Sequence, residues 1–275
     1  MTILLVGFDS AWTATKAGSI LGVSRGDDGS FREFNVPQSV NYQNAERKVL
    51  DWQEELQPEA TIIFLDQPTI VKNRTGQRPV ENLVSSPVSR RYGGMQPANT
   101  ARSEMFGHDA PVWAFLTRFG GPANPLGPLS GTSVLETYPV LIMIALGWTQ
   151  TDARATGRLP KYNPTRKTFS IADWRYVCRL AADEFREREL SRIAVWLDKA
   201  AEVEKPRKSD QDGLDACICL LAALHLVEER ECLMVGNLDS GYIVVPYRAS
   251  LSEELEARCE RTDRAPSEWV RSFRL

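Results

Sequence analysis

An α/β fold built around a mixed sheet is what this sequence predicts, and three observations predict it. Short apolar, β-branched runs of strand length stand at residues 2–8, 18–24, 30–36, 61–65 and 133–137. Stretches of helical length lie among and after them, at residues 43–56, 139–146, 172–201 and 212–229. The second and third runs are joined by Gly26-Asp27-Asp28-Gly29, residues that tolerate positive φ, so these strands form a tight hairpin and pair antiparallel. Three leading strands without helices between them exclude a pure βαβ array. Strands first and helices later make an α/β sandwich with a mixed sheet.

In chain order, residues 2–8 read as a buried strand because every side chain is apolar or β-branched. Residues 18–24 and 30–36 follow as the hairpin. Residues 43–56 carry Val49, Leu50, Trp52 and Leu56 among charges, the pattern of an amphipathic helix. Residues 61–65 form the next strand and end at Asp66-Gln67-Pro68. From 68 to 131 the chain is rich in Pro, Gly, Asn and Ser with one apolar patch at 112–119, too long for an idle connection and suited to short helices and functional loops. Residues 133–137 read as a fifth strand and 139–146 as a helix; 159–166 is a basic loop. The helical region 172–201 is interrupted or continued around Glu189, 205–209 is a linker, and 212–229 is a strongly apolar helix. Residues 242–245 suit a last strand, and the charged tail from 251 to 275 reads as peripheral. The expected organisation is one domain over residues 1–250, with insertions around 68–131 and 150–205, followed by that tail.

Composition narrows the function classes. The apolar fraction of 43% and charged fraction of 25% are those of a globular protein. No apolar run approaches the roughly 18 residues of a membrane span. Ile3-Leu4-Leu5-Val6 has no basic region before it and leads into Asp9, unlike a signal peptide. Five cysteines, an odd number, without paired CxxC motifs point to a reducing cytoplasm, and only two histidines disfavour zinc. A net charge of −3 argues against indiscriminate nucleic-acid binding. The basic residues are nevertheless concentrated between 71 and 102 and between 154 and 179, which suits either a polyanion-binding face or a solvated surface.

The chemistry-bearing pattern is acidic. Asp9, Asp66 and Glu136 each follow an apolar strand, and Asp212 and Asp215 open the apolar helix, three residues apart and hence one turn apart. Each has an ordinary structural role available. Asp9 and Asp66 can end a strand or shape a turn, Asp212 can cap a helix, Asp215 suits its first turn, and Glu136 can sit on an exposed face. Together they point elsewhere, because carboxylates converging at one sheet end repel unless a cation neutralises them. An all-carboxylate, histidine-poor set suits Mg2+ or Mn2+. One or two such ions can activate water and stabilise the leaving oxygen in phosphodiester hydrolysis, with basic loops holding the phosphates.

Gly7-Phe8-Asp9-Ser10-Ala11-Trp12, Phe64-Leu65-Asp66-Gln67-Pro68, Leu135-Glu136-Thr137-Tyr138-Pro139, Lys161-Tyr162 and Asp212-Gly213-Leu214-Asp215-Ala216 occur in that order. In this the chain resembles the domain-of-unknown-function 429 family of predicted RNase H-like nucleases, from about residue 3 to residue 245. The resemblance implies a three-layer RNase H-like fold, with a mixed five-stranded sheet flanked by helices and acids on its first and fourth strands, where Asp9 and Asp66 match. The closing Asp-x-x-Asp-Ala is similar to the last helix of RuvC-type junction resolvases, which implies that Asp212 and Asp215 complete the metal site. Glu136 falls in the family's Glu-x-x-Pro element, as a further acid or a packing feature, and Lys161 would contact phosphate. The resulting expectation is a divalent-metal nuclease of DNA or RNA. Asp9, Asp66, Asp212 and Asp215 would ligate metal, Glu136 would be an auxiliary acid, and Lys161 with Arg90 or Arg91 would steady phosphate.

Two other readings stand beside it: a non-catalytic nucleic-acid or protein-binding module on the same fold, and a phosphotransferase of the actin and sugar-kinase type. The latter needs a glycine-rich phosphate loop, which Asp9-Ser10-Ala11-Trp12-Thr13 lacks, and neither a P-loop nor a dinucleotide fingerprint is present. Cys217 and Cys219 lie in an apolar helix and read as core, and Ser85, Ser86 and Ser89 have no evident His-Asp partner. Trp12, beside Asp9, reads as packing rather than as a platform for a base.

Overall fold

The computed structural model describes residues 1–128 and 130–275. Its central sheet runs β1 (Ile3–Asp9), β2 (Gly18–Arg25), β3 (Phe31–Glu33), β4 (Gln38–Val40), β5 (Ala60–Asp66) and β6 (Gly131–Glu136), in the spatial order β3-β2-β1-β5-β6 with β4 also on β2. β1 and β2 pair antiparallel, whereas β1, β5 and β6 are parallel neighbours, so the sheet is mixed as predicted. The third strand predicted at 30–36 is shortened to β3, and β4 lies beyond the predicted bounds. β3 pairs with one stretch of β2 and β4 with another, which makes six strands in five positions across the sheet. Pro37 lies in the break, and the Asn35 side chain bridges it by accepting from Gly22 N (2.9 Å) and donating to Ile20 O (3.3 Å).

Alternation along the strands sorts the core into two layers. Leu4, Val6, Phe8, Ile63, Leu65 and Val134 face α1 (Tyr42–Leu56) and the helix Pro111–Arg118. Ile3, Leu5, Ile62, Phe64 and Leu135 face the helices that follow the sheet in sequence. The closest of these is the 20-residue helix Lys208–Val227, apolar on nearly every side and buried to match. Helices Ile171–Glu187 and Ser191–Glu202 pack beyond it and are separated at Glu189, whose φ of 59° ends the first, so of the two alternatives the sequence left open there the helix is interrupted. No helix among the described residues is long and apolar enough to cross a membrane.

Two sequence expectations are corrected. The strand predicted at 242–245 is Gly241–Pro246, and it joins Cys232–Asn237 and Val270–Phe273 in a separate three-stranded sheet. The tail after residue 250 is therefore not peripheral: Val270–Phe273 pairs antiparallel with Cys232–Asn237, and Leu251, Leu255 and Cys259 of helix Ala249–Glu260 are fully buried. Its charges occupy the outer face of an amphipathic helix, which composition alone does not distinguish from a solvated tail.

Candidate functional site

Because β1 and β5 are parallel and in step, Asp9 and Asp66 stand side by side at their carboxyl ends. Both leave the sheet on the face of Leu5 and Phe64, the face covered by the helix Lys208–Val227. That helix crosses β1 very closely at Gly7, where an added Cβ would lie 2.3 Å from Ala216 O. Only glycine permits the approach, and it brings Asp215, the residue before Ala216, to the Asp9–Asp66 pair. Trp12 follows in the left-handed region (φ 62°) and donates from its indole to Asp66 O at 3.1 Å, while its ring meets Phe106 edge-on, so it packs and holds the loop as expected. Gln67 is fully buried and accepts from both Ser10 Oγ and Tyr42 OH, fixing the two strand ends together.

The electrostatics follow from that crowding. Burial, then the charges of Asp66 and Asp215, push the Asp9 carboxyl well above the usual range. Burial, then Asp215, does the same to Asp66, and the two carboxyls are close enough to share a proton. Asp215 is pushed by burial up to about 6, although Lys208 and hydrogen bonds from Tyr162 and Gln211 pull the other way. Among the described residues no salt bridge reaches Asp9, Asp66 or Asp215, and Asp9 Oδ2 is buried without any hydrogen-bond partner.

The other predicted acids differ. The helix begins at Lys208 rather than 212, so Asp212 is neither its cap nor free: Lys208 Nζ lies 2.5 Å from Asp212 Oδ1, one turn away. Asp215 accepts from Tyr162 OH at 2.7 Å on one oxygen and from Gln211 Nε2 at 2.8 Å on the other. Glu136 is in register with Leu65, one residue short of Asp66, and lines the same cleft. There it is gripped by both terminal nitrogens of Arg78 (3.0 and 2.5 Å) and by Thr69 N (2.8 Å). Arg78 also holds Glu81, so Glu81, Arg78 and Glu136 form a closed buried triad, and Glu136, expected as an auxiliary acid, has its counter-charge built in.

These groups line a cleft of about 1020 Å³. Lys161 is on its wall as predicted, with its ammonium on Tyr92 O and its backbone N–H on Asp173 Oδ2 (2.6 Å). Arg90 and Arg91 are not. Arg91 is buried, donating to Glu254 (2.8 Å) and Pro87 O (2.9 Å), and Arg90 lies 3.7 Å from the same Glu254, so both side chains, expected to steady phosphate, are turned to helix Ala249–Glu260. Sequence reasoning missed Lys16, Arg166 and the exposed Tyr92 on the cleft, and Gln211 and Lys208 above the acids. The last two are legible as partners four residues before Asp215 and Asp212 once the helix is started a turn earlier.

No group of three or more His, Cys, Asp or Glu side chains among the described residues is arranged to hold a metal ion. The four-carboxylate set expected from the sequence is thus not assembled: Asp212 is taken by Lys208 and Asp215 is held by two donors. What the sheet assembles is a pair, Asp9 and Asp66, with an unsatisfied buried oxygen on Asp9. A pair of carboxylates fits Mg2+, which keeps several waters and takes one or two protein carboxylates together with substrate phosphate oxygens.

No curated protein and no solved structure matches the chain. One protein family does, over residues 15–237, a stretch that contains Asp66, Glu136, Lys161, Tyr162, Asp212 and Asp215 and begins after Asp9. Since the match spans most of the chain, the protein belongs to the family described as "Protein of unknown function (DUF429)".

Proposed function

We propose that this protein is a divalent-metal-dependent phosphodiesterase acting on nucleic acid, with Mg2+ or Mn2+ carried by Asp9 and Asp66. The observation that carries the proposal is the in-register pair of buried carboxylates, pushed toward protonation by each other and by Asp215, with no cation among the described residues bonded to either. A bound ion would polarise the phosphate and a water, the contribution such ions make to phosphodiester hydrolysis. The remaining roles belong to side chains. Tyr162 and Gln211 orient Asp215, which titrates near 6 and is placed to accept a proton. Lys161, Lys16 and Arg166 give the cleft three cations for a polyanionic substrate. We read the fold as RNase H-like. Counting the interrupted edge as one position, Asp9 and Asp66 stand on the first and fourth strands, where the resemblance expects acids. Five buried, unpaired cysteines support a reducing compartment, the cytoplasm.

The test is cleavage of single- and double-stranded DNA and RNA oligonucleotides with Mg2+ or Mn2+. The wild type is expected to cleave at least one, and Asp9→Asn and Asp66→Asn to abolish cleavage. Binding without cleavage in any metal would leave the binding-module reading in its place.

A further inference from the structure

The helix Lys208–Val227 opens with a lysine in its first turn, the wrong end of the helix dipole for a cation. Lys208 is also N-terminal to the acid it pairs with at i,i+4, the less favourable order of such a pair. The helix therefore gives no reason for Lys208. The acids give one, since its ammonium is bonded to Asp212 and near enough to Asp9 and Asp215 to be held by their charges as well. Its side chain is 54% exposed and lines the cleft.

The acids divide around it. Asp9 and Asp66 have ligand capacity to spare, including the partnerless Oδ2 of Asp9, a residue 5% exposed on the cleft wall. Asp212 has Lys208, and Asp215 has Tyr162 and Gln211. Four carboxylates are enough for two divalent ions about 3.5–4 Å apart, the usual arrangement for in-line displacement. Here the four are not gathered into one such group, and Asp212 already holds a positive charge.

We propose that Lys208 takes the place of a second metal ion: the site binds a single divalent cation at Asp9 and Asp66, and the Lys208 ammonium on Asp212 supplies the other positive charge. This rests on the metal-dependent reading above and refines it. The consequence is a fixed stoichiometry, because a lysine tethered four residues from its acid is not washed out by chelators and does not compete on the concentration scale of a free ion.

The test is a titration of the full chain with Mn2+ alone, followed by calorimetry for stoichiometry and by electron paramagnetic resonance for coupling between neighbouring ions. The wild type is expected to bind one Mn2+ with an uncoupled spectrum. Lys208→Ala, which frees Asp212, is expected to bind two with a coupled spectrum, and Lys208→Arg, which keeps the charge, to bind one. Circular dichroism melts establish that each variant is folded, and the exposed position of Lys208 favours that. Two coupled ions in the wild type would overturn the inference and leave the metal reading intact. One ion in both wild type and Lys208→Ala would also overturn it, since Lys208 would then not be what excludes the second. No ion in any of the three would remove the metal reading and this inference together.

Discussion

Two clusters of buried charge border the same cleft, and they are built on opposite plans. In one, Glu81 and Glu136 flank Arg78, all three at most 2% exposed and joined by hydrogen bonds of 2.5–3.0 Å. In the other, Asp9 and Asp66 stand together with Asp215 near them and no cation among the described residues bonded to any of the three. Both lie at the carboxyl end of the parallel strands, one residue of strand register apart. The contrast separates a structural acid from a functional one. A structural carboxylate has its counter-charge built in, whereas a functional one is left to find a mobile partner.

The most direct challenge to this contrast is to remove the fixed cation. Arg78→Met leaves two carboxylates buried without a counter-charge, and losing one partner of a buried pair typically costs about 3–5 kcal/mol. Denaturant unfolding should show a loss of that size. Replacing Arg78, Glu81 and Glu136 together by neutral residues of similar volume should recover most of it, because no unpaired charge then remains. A small loss on Arg78→Met would mean that the triad is not the lock described.

The other cluster should respond with the opposite sign. Asp9→Asn removes a carboxyl that burial and its neighbours disfavour when ionised, so it should stabilise the metal-free protein at neutral pH. The pH dependence follows from the direction of the shifts. Asp9, Asp66 and Asp215 are all raised in the folded state, Asp215 from 3.8 to about 6, so over that range the folded chain holds protons that the unfolded chain has released. Wild-type stability should therefore fall as pH rises above about 4, and the gap to Asp9→Asn should open as it falls. Added Mn2+ should raise the melting temperature of the wild type and not of the variant. An Asp9→Asn protein less stable than the wild type at neutral pH would erase the distinction between the clusters.

How much of this was legible in the sequence divides along the same line. Asp9 and Asp66 were legible because each ends an apolar strand, and their pairing needed only that the strands be parallel and in step. The fate of Glu136 was not, since it turned on its partner Arg78 rather than on its own strand. Arg78 sits in a Pro- and Gly-rich stretch, 58 residues from Glu136 along the chain, so its role depends on how the insertion folds back. Asp212 is misplaced by sequence for a local reason. Starting the helix at the apolar run puts Asp212 at its cap, whereas the polar first turn 208–211 is already helical and supplies Lys208 and Gln211. The tail failed because its helix buries Leu251, Leu255 and Cys259 among charges, and the strand that follows completes a sheet begun at Cys232.

A smaller effect is expected within the open cluster. Tyr162→Phe removes the hydroxyl that Asp215 accepts from and adds nothing in its place. Residues that orient a working group in this way typically contribute about 10–100-fold to activity. Tyr162→Phe should therefore slow cleavage by roughly tenfold, without the stability loss of Arg78→Met. An unchanged rate would place Asp215 outside the working site.

The weakest response separates the cations of the cleft from those behind it. Arg90 is half-exposed, 3.7 Å from Glu254 and outside the cleft, and an exposed pair of this kind contributes about 0–1 kcal/mol. Lys161 and Arg166, in contrast, line the cleft that holds Asp9 and Asp66. Arg90→Ala should leave oligonucleotide affinity and its salt dependence unchanged, while Lys161→Ala or Arg166→Ala should weaken binding and reduce the slope of log affinity against log salt by about 1 for each phosphate no longer neutralised. A drop in affinity for Arg90→Ala equal to that for Lys161→Ala would mean that the polyanion runs over the helix Ala249–Glu260 instead of through the cleft, and would move the substrate path off the acids altogether.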